Sequence, residues 1–345
     1  MARPRGALLP SAFRPRGRVN PCETSSPLLE LRDIRKSFGG RPPGRMAAWL
    51  GRAQAVAPPA LDGVSLSIHA GEAVGLVGES GSGKSTLARV AIGMLQASSG
   101  SRTWKGLALQ PGQMRPLGMQ MIFQDTHASL NPRMRVLDLI GEAALAHRLA
   151  LPANRRAFVE QYLDAVGLPR AAISAYPHQL SGGQRARVAI ARALALGPDL
   201  LICDEAVAAL DVSVQAQILN LFQGLRRQLG LGYFFISHDV RVVRHLCDRV
   251  LIMYRGRVVE TGSVALLIEH GRHPYTQLLL DSLPERIATR SGTANPAIAG
   301  VAEASREGCA FAPRCRHAHA RCLEQVPALR EIAPTHFSAC HLDQP

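Results

Sequence analysis

The sequence predicts an α/β fold that carries an inserted block of helices and a small cysteine-rich C-terminal extension. Three observations predict it. First, continuous apolar runs recur in "EAVGLVG", "LLICDE" and "GYFFISHD"; such runs suit strands buried on both faces of a parallel sheet. Second, "VLDLIGEAALAHRLA" and "RRAFVEQYLDAVGL" both have helical spacing with no strand between them, which interrupts the α/β pattern. Third, four of the seven cysteines (Cys309, Cys315, Cys322 and Cys340) lie beyond residue 308.

Composition sets the bounds. A chain of 345 residues suits one large domain plus a smaller appendage. Hydrophobic residues make up 47%, enough for a sizeable core. The 40 basic and 26 acidic residues leave a formal charge of +14. A surface of that sign suits nucleotides, nucleic acid or an anionic membrane face; a coding bias toward Arg is the bland alternative. No run reaches the ~18–20 apolar residues that span a bilayer. Residues 1–27 are rich in Arg and Pro, and their one apolar run, Ala7 to Pro10, is too short for a signal peptide. They read as a disordered basic arm. The chain is expected in the cytosol, where structural disulfides are unusual. Cys203 and Cys247 lie in periodic apolar segments and read as core residues.

Each element can be justified in order. Structure is expected to begin near "LLELRDIRKSF", a strand-like alternation. "GGRPPGRMAAWLGRAQAVAPP" then breaks any strand and reads as a surface insertion. "LDGVSLSIHAGEAVGLVG" reads as two strands around an Ala-Gly turn, the second leading into a glycine-rich loop and the amphipathic helix "STLARVAIGML". "MQMIFQ" is a further strand. The helical insertion follows, over about residues 125–195, and "RARVAIARALAL" adds another helix. "DLLICDE" and "GYFFISHD" end in polar or acidic residues. "RVLIMYRGRVVETG" reads as a hairpin with Arg-Gly at its turn, and "HPYTQLLLDSLP" closes a domain spanning 28–285. A linker at 286–305 leads to an extension at 306–345. The chain contains no internal repeat.

Two stretches carry phosphate chemistry. "GESGSGKST", Gly78 to Thr86, matches G-x-x-x-x-G-K-[ST] between a strand and a helix. Its glycines let backbone N–H groups converge on phosphate oxygens, and the helix N-terminus adds positive potential. Lys84 supplies a point charge, and the Ser85 hydroxyl suits Mg²⁺. Asp204 ends a buried strand, where its carboxylate can reach the Mg²⁺ shell. Glu205 beside it can polarise an attacking water. "LSGGQ", with Ser181, Gly182, Gly183 and Gln184, opens a helix and forms a second anion site. A helical insertion separates the two sites in sequence. A head-to-tail dimer, in which each phosphate loop faces the partner's Ser-Gly-Gly, is the economical arrangement.

With these motifs the chain resembles the ATP-binding subunit of ABC transporters over roughly residues 28–285. The resemblance implies a P-loop NTPase with a RecA-like core, an antiparallel β subdomain and the helical insertion. It implies that Gly78, Glu79, Ser80, Gly81, Ser82, Gly83, Lys84, Ser85 and Thr86 bind ATP, and that Ser85, Gln124 and Asp204 hold Mg²⁺. Catalysis then falls to Glu205, Gln124 of "IFQD" and His238 of "ISHD". Ser181 to Gln184 act in trans, Asp211 of "AALD" crosses the dimer interface, and Phe38 stacks on adenine, with a core aromatic as its alternative. Ala206 stands where the family usually has Pro, which loosens a turn that Pro would stiffen. An active ATPase is still expected, because Glu205, Gln124 and His238 are all present.

The finer resemblance is to the second ATPase subunit of dipeptide and oligopeptide importers. It rests on "FQDTHASLNPRMRV", with Thr126 in place of the usual Pro, on "CDEAVAALDVSVQAQILNL" and on "HPYTQLLLDSLP". It implies a homologous ATPase partner in a heterodimer, two transmembrane permease subunits and an extracytoplasmic solute-binding protein. It also implies a peripheral site on the cytoplasmic face of the inner membrane, with no direct substrate contact. Nickel, a metallophore or another small solute are alternative cargoes. A soluble ABC ATPase acting on nucleic acid or ribosomes is a rival, and it usually carries two such units or a long coiled coil. No nucleic-acid partner is expected.

The tail cysteines contain no C-x-x-C. Four thiolates suit either Zn²⁺ or an iron–sulfur cluster, and His317, His319, His336 or His341 could substitute in a zinc site. The tail resembles the extension of peptide-importer ATPases, which implies a structural [4Fe–4S] cluster on Cys309, Cys315, Cys322 and Cys340. Zinc, or reduced cysteines packing a small core, remain open at this stage.

Overall fold

The computed structural model describes residues 26–38, 58–110, 116–281 and 307–343. Most of the expected basic arm, the Gly/Pro-rich stretch after Phe38 and the expected linker lie outside the described residues.

Strand β1 (Leu29–Lys36) buries Leu29, Leu31 and Ile34. Its alternation skips a step at Asp33, whose φ of 47° accompanies a register shift between Arg32 and Arg35, as a bulge requires. β2 (Leu61–Ile68) follows, then β3 (Ala73–Val77), with every residue buried. Helix α1 (Lys84–Ile92) ends at Gly93, which takes the left-handed φ of 82° that stops a helix. β4 (Ser99–Trp104), β5 (Leu107–Ala108) and β6 (Met119–Ile122) come next. The expected helical block is α2 (Thr126–Ser129), α3 (Val136–Ala146), α4 (Arg155–Ala165) and α5 (Gly182–Leu194). β7 (Leu200–Asp204), α6 (Val212–Leu229), β8 (Gly232–Ser237) and α7 (Val240–Leu246) follow. β9 (Arg249–Tyr254), β10 (Arg257–Ser263), α8 (Val264–His270) and α9 (Pro274–Leu280) precede the tail elements α10 (Ala320–Glu324), β11 (Arg330–Ala333) and β12 (His336–Ser338).

The chain divides into two units. One holds Ile68–Ala73 and Gln113–Ile236. In it β6, β7 and β8 pair in parallel, with Met121 opposite Ile202 and Cys203 opposite Phe235. All of β7 and β8 is buried, as their continuous apolar runs predict. α3 packs on α4 and α5 through Leu139, Ile140, Val159 and Leu163, all buried.

The other unit holds Leu29–Ser67, Val74–Gly112 and Ser237–Pro345. β2, β1, β4 and β5 form an antiparallel sheet in that order. β3 pairs in parallel with β9, and β9 turns at Arg255-Gly256 into antiparallel β10. The extension is not an appendage beyond a finished domain. β12 pairs with β10, Glu260 opposite Ser338, and β11 pairs with β12. The reason is polar: Glu260, His336 and Ser338 are all buried, and the Glu260 carboxylate accepts from His336 Nε2 at 2.7 Å and from the Arg272 and His273 N–H groups. A short strand held by a buried polar pair has no apolar periodicity to announce it. Among the described residues no helix is long and apolar enough to cross a membrane.

Candidate functional site

In the second unit, the loop from Gly78 to Gly83 joins buried β3 to α1, whose first turn holds Lys84, Ser85 and Thr86. Gly78 is required by close approach: a Cβ there would lie 2.2 Å from the Met253 carbonyl oxygen. Lys84 is 4% exposed, and its ammonium donates to the carbonyls of Gly78 and Glu79, each at 2.8 Å. It therefore sits inside the loop as a fixed charge. Gly83 precedes the helix at a φ of 103°, so α1 starts without a side-chain cap and its first-turn N–H groups point into the loop. His238 follows β8 and is exposed. Phe38 is 66% exposed, with the Lys36 ammonium 5.4 Å from its ring centroid. The core alternative for Phe38 is excluded.

In the first unit, Asp204 ends β7 almost fully buried, at 3% exposure. Glu205 follows with a φ of 47°, and its N–H donates to Ile236 O. This left-handed step turns the chain sharply off the strand, an uncommon conformation for a residue with a side chain. The Gln124 amide then donates to the Glu205 carboxylate at 2.9 Å. Two residues 81 positions apart are thus brought together. Ala206, in the place of the usual Pro, is buried.

Ser181 caps α5 in a reciprocal box. Its Oγ accepts from the Gln184 N–H, and the Gln184 side chain accepts from the Ser181 N–H. Gly183 lets α6 approach, since a Cβ would meet Val214 Cγ1 at 2.6 Å. Asp211 stands at the N-terminus of α6 beside Val212, which is 84% exposed. The "LSGGQ" stretch, the signature turn, and Asp211 therefore belong to one packed corner of this unit.

Cys309, Cys315, Cys322 and Cys340 line one small cavity with Phe311 and His341. The Cys309 N–H donates to Cys322 O at 2.7 Å, which ties two of their loops. Burial pushes the Cys309 and Cys315 thiols up, so a cation is what would hold them as thiolates at neutral pH. Among the described residues no three His, Cys, Asp or Glu side chains are grouped to hold a single metal ion. Of the suggested histidine substitutes, His317 and His341 also line this cavity, and three of the four have a polar partner. His336 is bonded to Glu260, His341 Nε2 donates to Gln325 O, and His317 Nε2 accepts from Arg316 Nε.

Comparisons with known proteins decide the family. Residues 61–208 match the ABC transporter family, and residues 259–322 match the oligopeptide/dipeptide transporter C-terminal region. A putative peptide import ATP-binding protein of Brucella abortus (strain 2308) is 47% identical over 82% of this chain and 86% of that protein. The oligopeptide transport ATP-binding protein AppF of Bacillus subtilis (strain 168) is 42% identical over 91% of this chain and 97% of its own. The chain belongs to the ABC transporter family.

Solved ABC structures agree. The cbiO1 protein from Clostridium perfringens, part of an ABC transporter complex, superposes with a TM-score of 0.60 at 25% identity, covering 76% of this chain and 97% of that one. A dimeric bacterial ABC transporter cassette superposes with a TM-score of 0.58 at 26% identity, covering 68% and 98%. In this ABC transporter subunit, sequence reasoning missed one contact at the phosphate loop. Arg314 of the tail forms a two-pronged ion pair with Glu79, 235 positions away. Arg314 lies directly before Cys315 on the tail, but no sequence signal names its partner.

Proposed function

We propose that the chain is the ATP-hydrolysing subunit of a binding-protein-dependent ABC importer that powers uptake of di- or oligopeptides. The observation that carries the peptide assignment is the match of residues 259–322 to the oligopeptide/dipeptide transporter C-terminal region. Relatives whose names specify peptide import, extending over most of the chain, support it. Deleting the gene and following uptake of labelled peptides tests it; unchanged peptide uptake with lost uptake of another solute would sink it.

In this reading the motif residues take their family roles. The loop from Gly78 to Thr86 cradles ATP, with Lys84 on the outer phosphates and Phe38 on adenine. Ser85, Gln124 and Asp204 would hold Mg²⁺, which neutralises charge developing on the phosphates. Glu205 takes a proton from the attacking water. The Gln124 amide, donating to that carboxylate, fixes its direction. His238 senses the terminal phosphate. Ser181, Gly182, Gly183 and Gln184 act across a dimer in which Asp211 crosses the interface. The partner is a homologous ATPase subunit, and the pair sits peripherally beneath two permease subunits on the cytoplasmic face of the inner membrane, with a solute-binding protein outside.

The cysteine tail is read as the seat of a structural [4Fe–4S] cluster. Four cysteines lining one cavity are the residue set such a cluster takes. When bound, the cluster would crosslink the loops carrying Cys309, Cys315, Cys322 and Cys340, as a small extension needs.

A further inference from the structure

The second residue of the phosphate loop is held at each of its polar groups. The Glu79 N–H donates to Tyr275 Oη at 2.8 Å, and its carbonyl accepts from Lys84 Nζ at 2.8 Å. Its carboxylate receives both prongs of Arg314, Nη1 to Oε2 at 2.8 Å and Nη2 to Oε1 at 2.9 Å. The grip comes from an aromatic platform. Tyr254, Tyr275 and Phe311 pack with ring centroids 4.6 to 5.4 Å apart. The Arg314 guanidinium lies 5.8 Å from the Tyr254 centroid and 5.6 Å from that of Phe311. Phe311 and Arg314 fall between Cys309 and Cys315 on the tail.

A carboxylate at this position poses an electrostatic problem. The loop collects positive potential for a polyanion, and Glu79 places a negative charge within it. Left bare, that charge repels phosphate. A planar guanidinium paired through two hydrogen bonds cancels it and fixes its direction, which a lysine does less well. We propose that Arg314 is a positioning residue for ATP binding, which neutralises Glu79 and holds the start of the phosphate loop in its nucleotide-binding form. Nucleotide affinity thereby depends on the folded cysteine tail. The inference rests on the reading of residues 78–86 as the ATP site.

Equilibrium binding of a fluorescent ATP analogue to the full chain, with steady-state hydrolysis alongside, tests it. Arg314→Gln is expected to weaken binding by about three- to tenfold at low salt, with the loss shrinking as ionic strength rises, as expected of one partly exposed charge. The kcat at saturating ATP stays within about twofold, because only binding is affected. In the Glu79→Gln background the same substitution loses its effect, since no carboxylate remains to neutralise. A loss of equal size in both backgrounds, or one insensitive to salt, would overturn the charge role and leave Arg314 as simple glue for the tail. Should Arg314→Gln unfold the protein, Arg314→Lys carries the test. It keeps the charge and must retain binding within a few-fold; a loss of tenfold or more would overturn the proposal. A wild-type chain that binds no ATP would instead defeat the underlying reading. Binding that is lost in Lys84→Ala but untouched in Arg314→Gln would defeat this inference alone.

Discussion

The Gln124 side-chain amide donates a 2.9 Å hydrogen bond to the Glu205 carboxylate. Glu205 is the residue at which the chain leaves β7 with a left-handed φ of 47°. A general base needs a fixed direction as much as basicity, and this contact supplies it. Glu205→Gln is therefore expected to bind ATP and to hydrolyse it about 10²–10⁴-fold more slowly, the usual worth of a general base. Single-turnover hydrolysis measured beside equilibrium binding checks this. Persistent hydrolysis would remove Glu205 from the role.

Gln124→Ala keeps the base and removes its donor. The expected loss in kcat is on the order of tenfold, milder than that of Glu205→Gln, because orientation is lost and the proton acceptor is not. Steady-state rates at saturating ATP report it. Rates equal to wild type would mean that the contact has no part in hydrolysis.

Gly78→Ala places a methyl group 2.2 Å from the Met253 carbonyl oxygen, where backbone and not a flexible side chain must yield. The loop is expected to shift, with loss of nucleotide binding by about tenfold or more and a stability cost of about 1–3 kcal/mol. Calorimetric titration and thermal unfolding separate the two effects. An unaltered affinity would show that the close approach does not shape the phosphate cradle.

His336→Ala leaves Glu260, which is fully buried, without its 2.7 Å partner between β10 and β12. Removing one partner of a buried hydrogen bond, so that the other is left unsatisfied, costs about 1–3 kcal/mol. Denaturant unfolding should show this cost, and proteolysis should attack the tail first, because β12 is the extension's strand bond to β10. A neutral substitution would mean that the sheet edge is held by other contacts.

Anaerobic purification of the full chain is expected to give an absorbance shoulder at about 400 nm with iron and sulfide in equal amounts. Cys315→Ser should lose both. The thiol it removes lies one residue from Arg314, so nucleotide affinity should fall along with the iron. Zinc without iron would overturn the cluster.

Much of the chain was legible in order. β3, β7 and β8 announced themselves because a strand buried on both faces must be apolar throughout. Lys84, Asp204 and Glu205 could be placed at strand ends and at a loop-to-helix junction, since strand–Gly-loop–helix is a local pattern in which every part is adjacent in sequence. The two helices α3 and α4 were read from their spacing alone. For Phe38 the sequence left adenine stacking and a core position open, and its exposure removes the second.

The sequence by itself determined the phosphate loop, the strand-end acids, the signature turn and the identity of the four tail cysteines. Each is a short run whose chemistry is carried by neighbours in the chain. Only the tertiary structure decided that Gln124 meets Glu205, that Arg314 meets Glu79, and that β12 joins β10 through His336 and Glu260. These are contacts between polar side chains 76 to 235 positions apart. Burial of apolar residues leaves a period in the sequence that can be read. A polar pair leaves none, because each partner looks like any solvated residue until the fold removes the water between them.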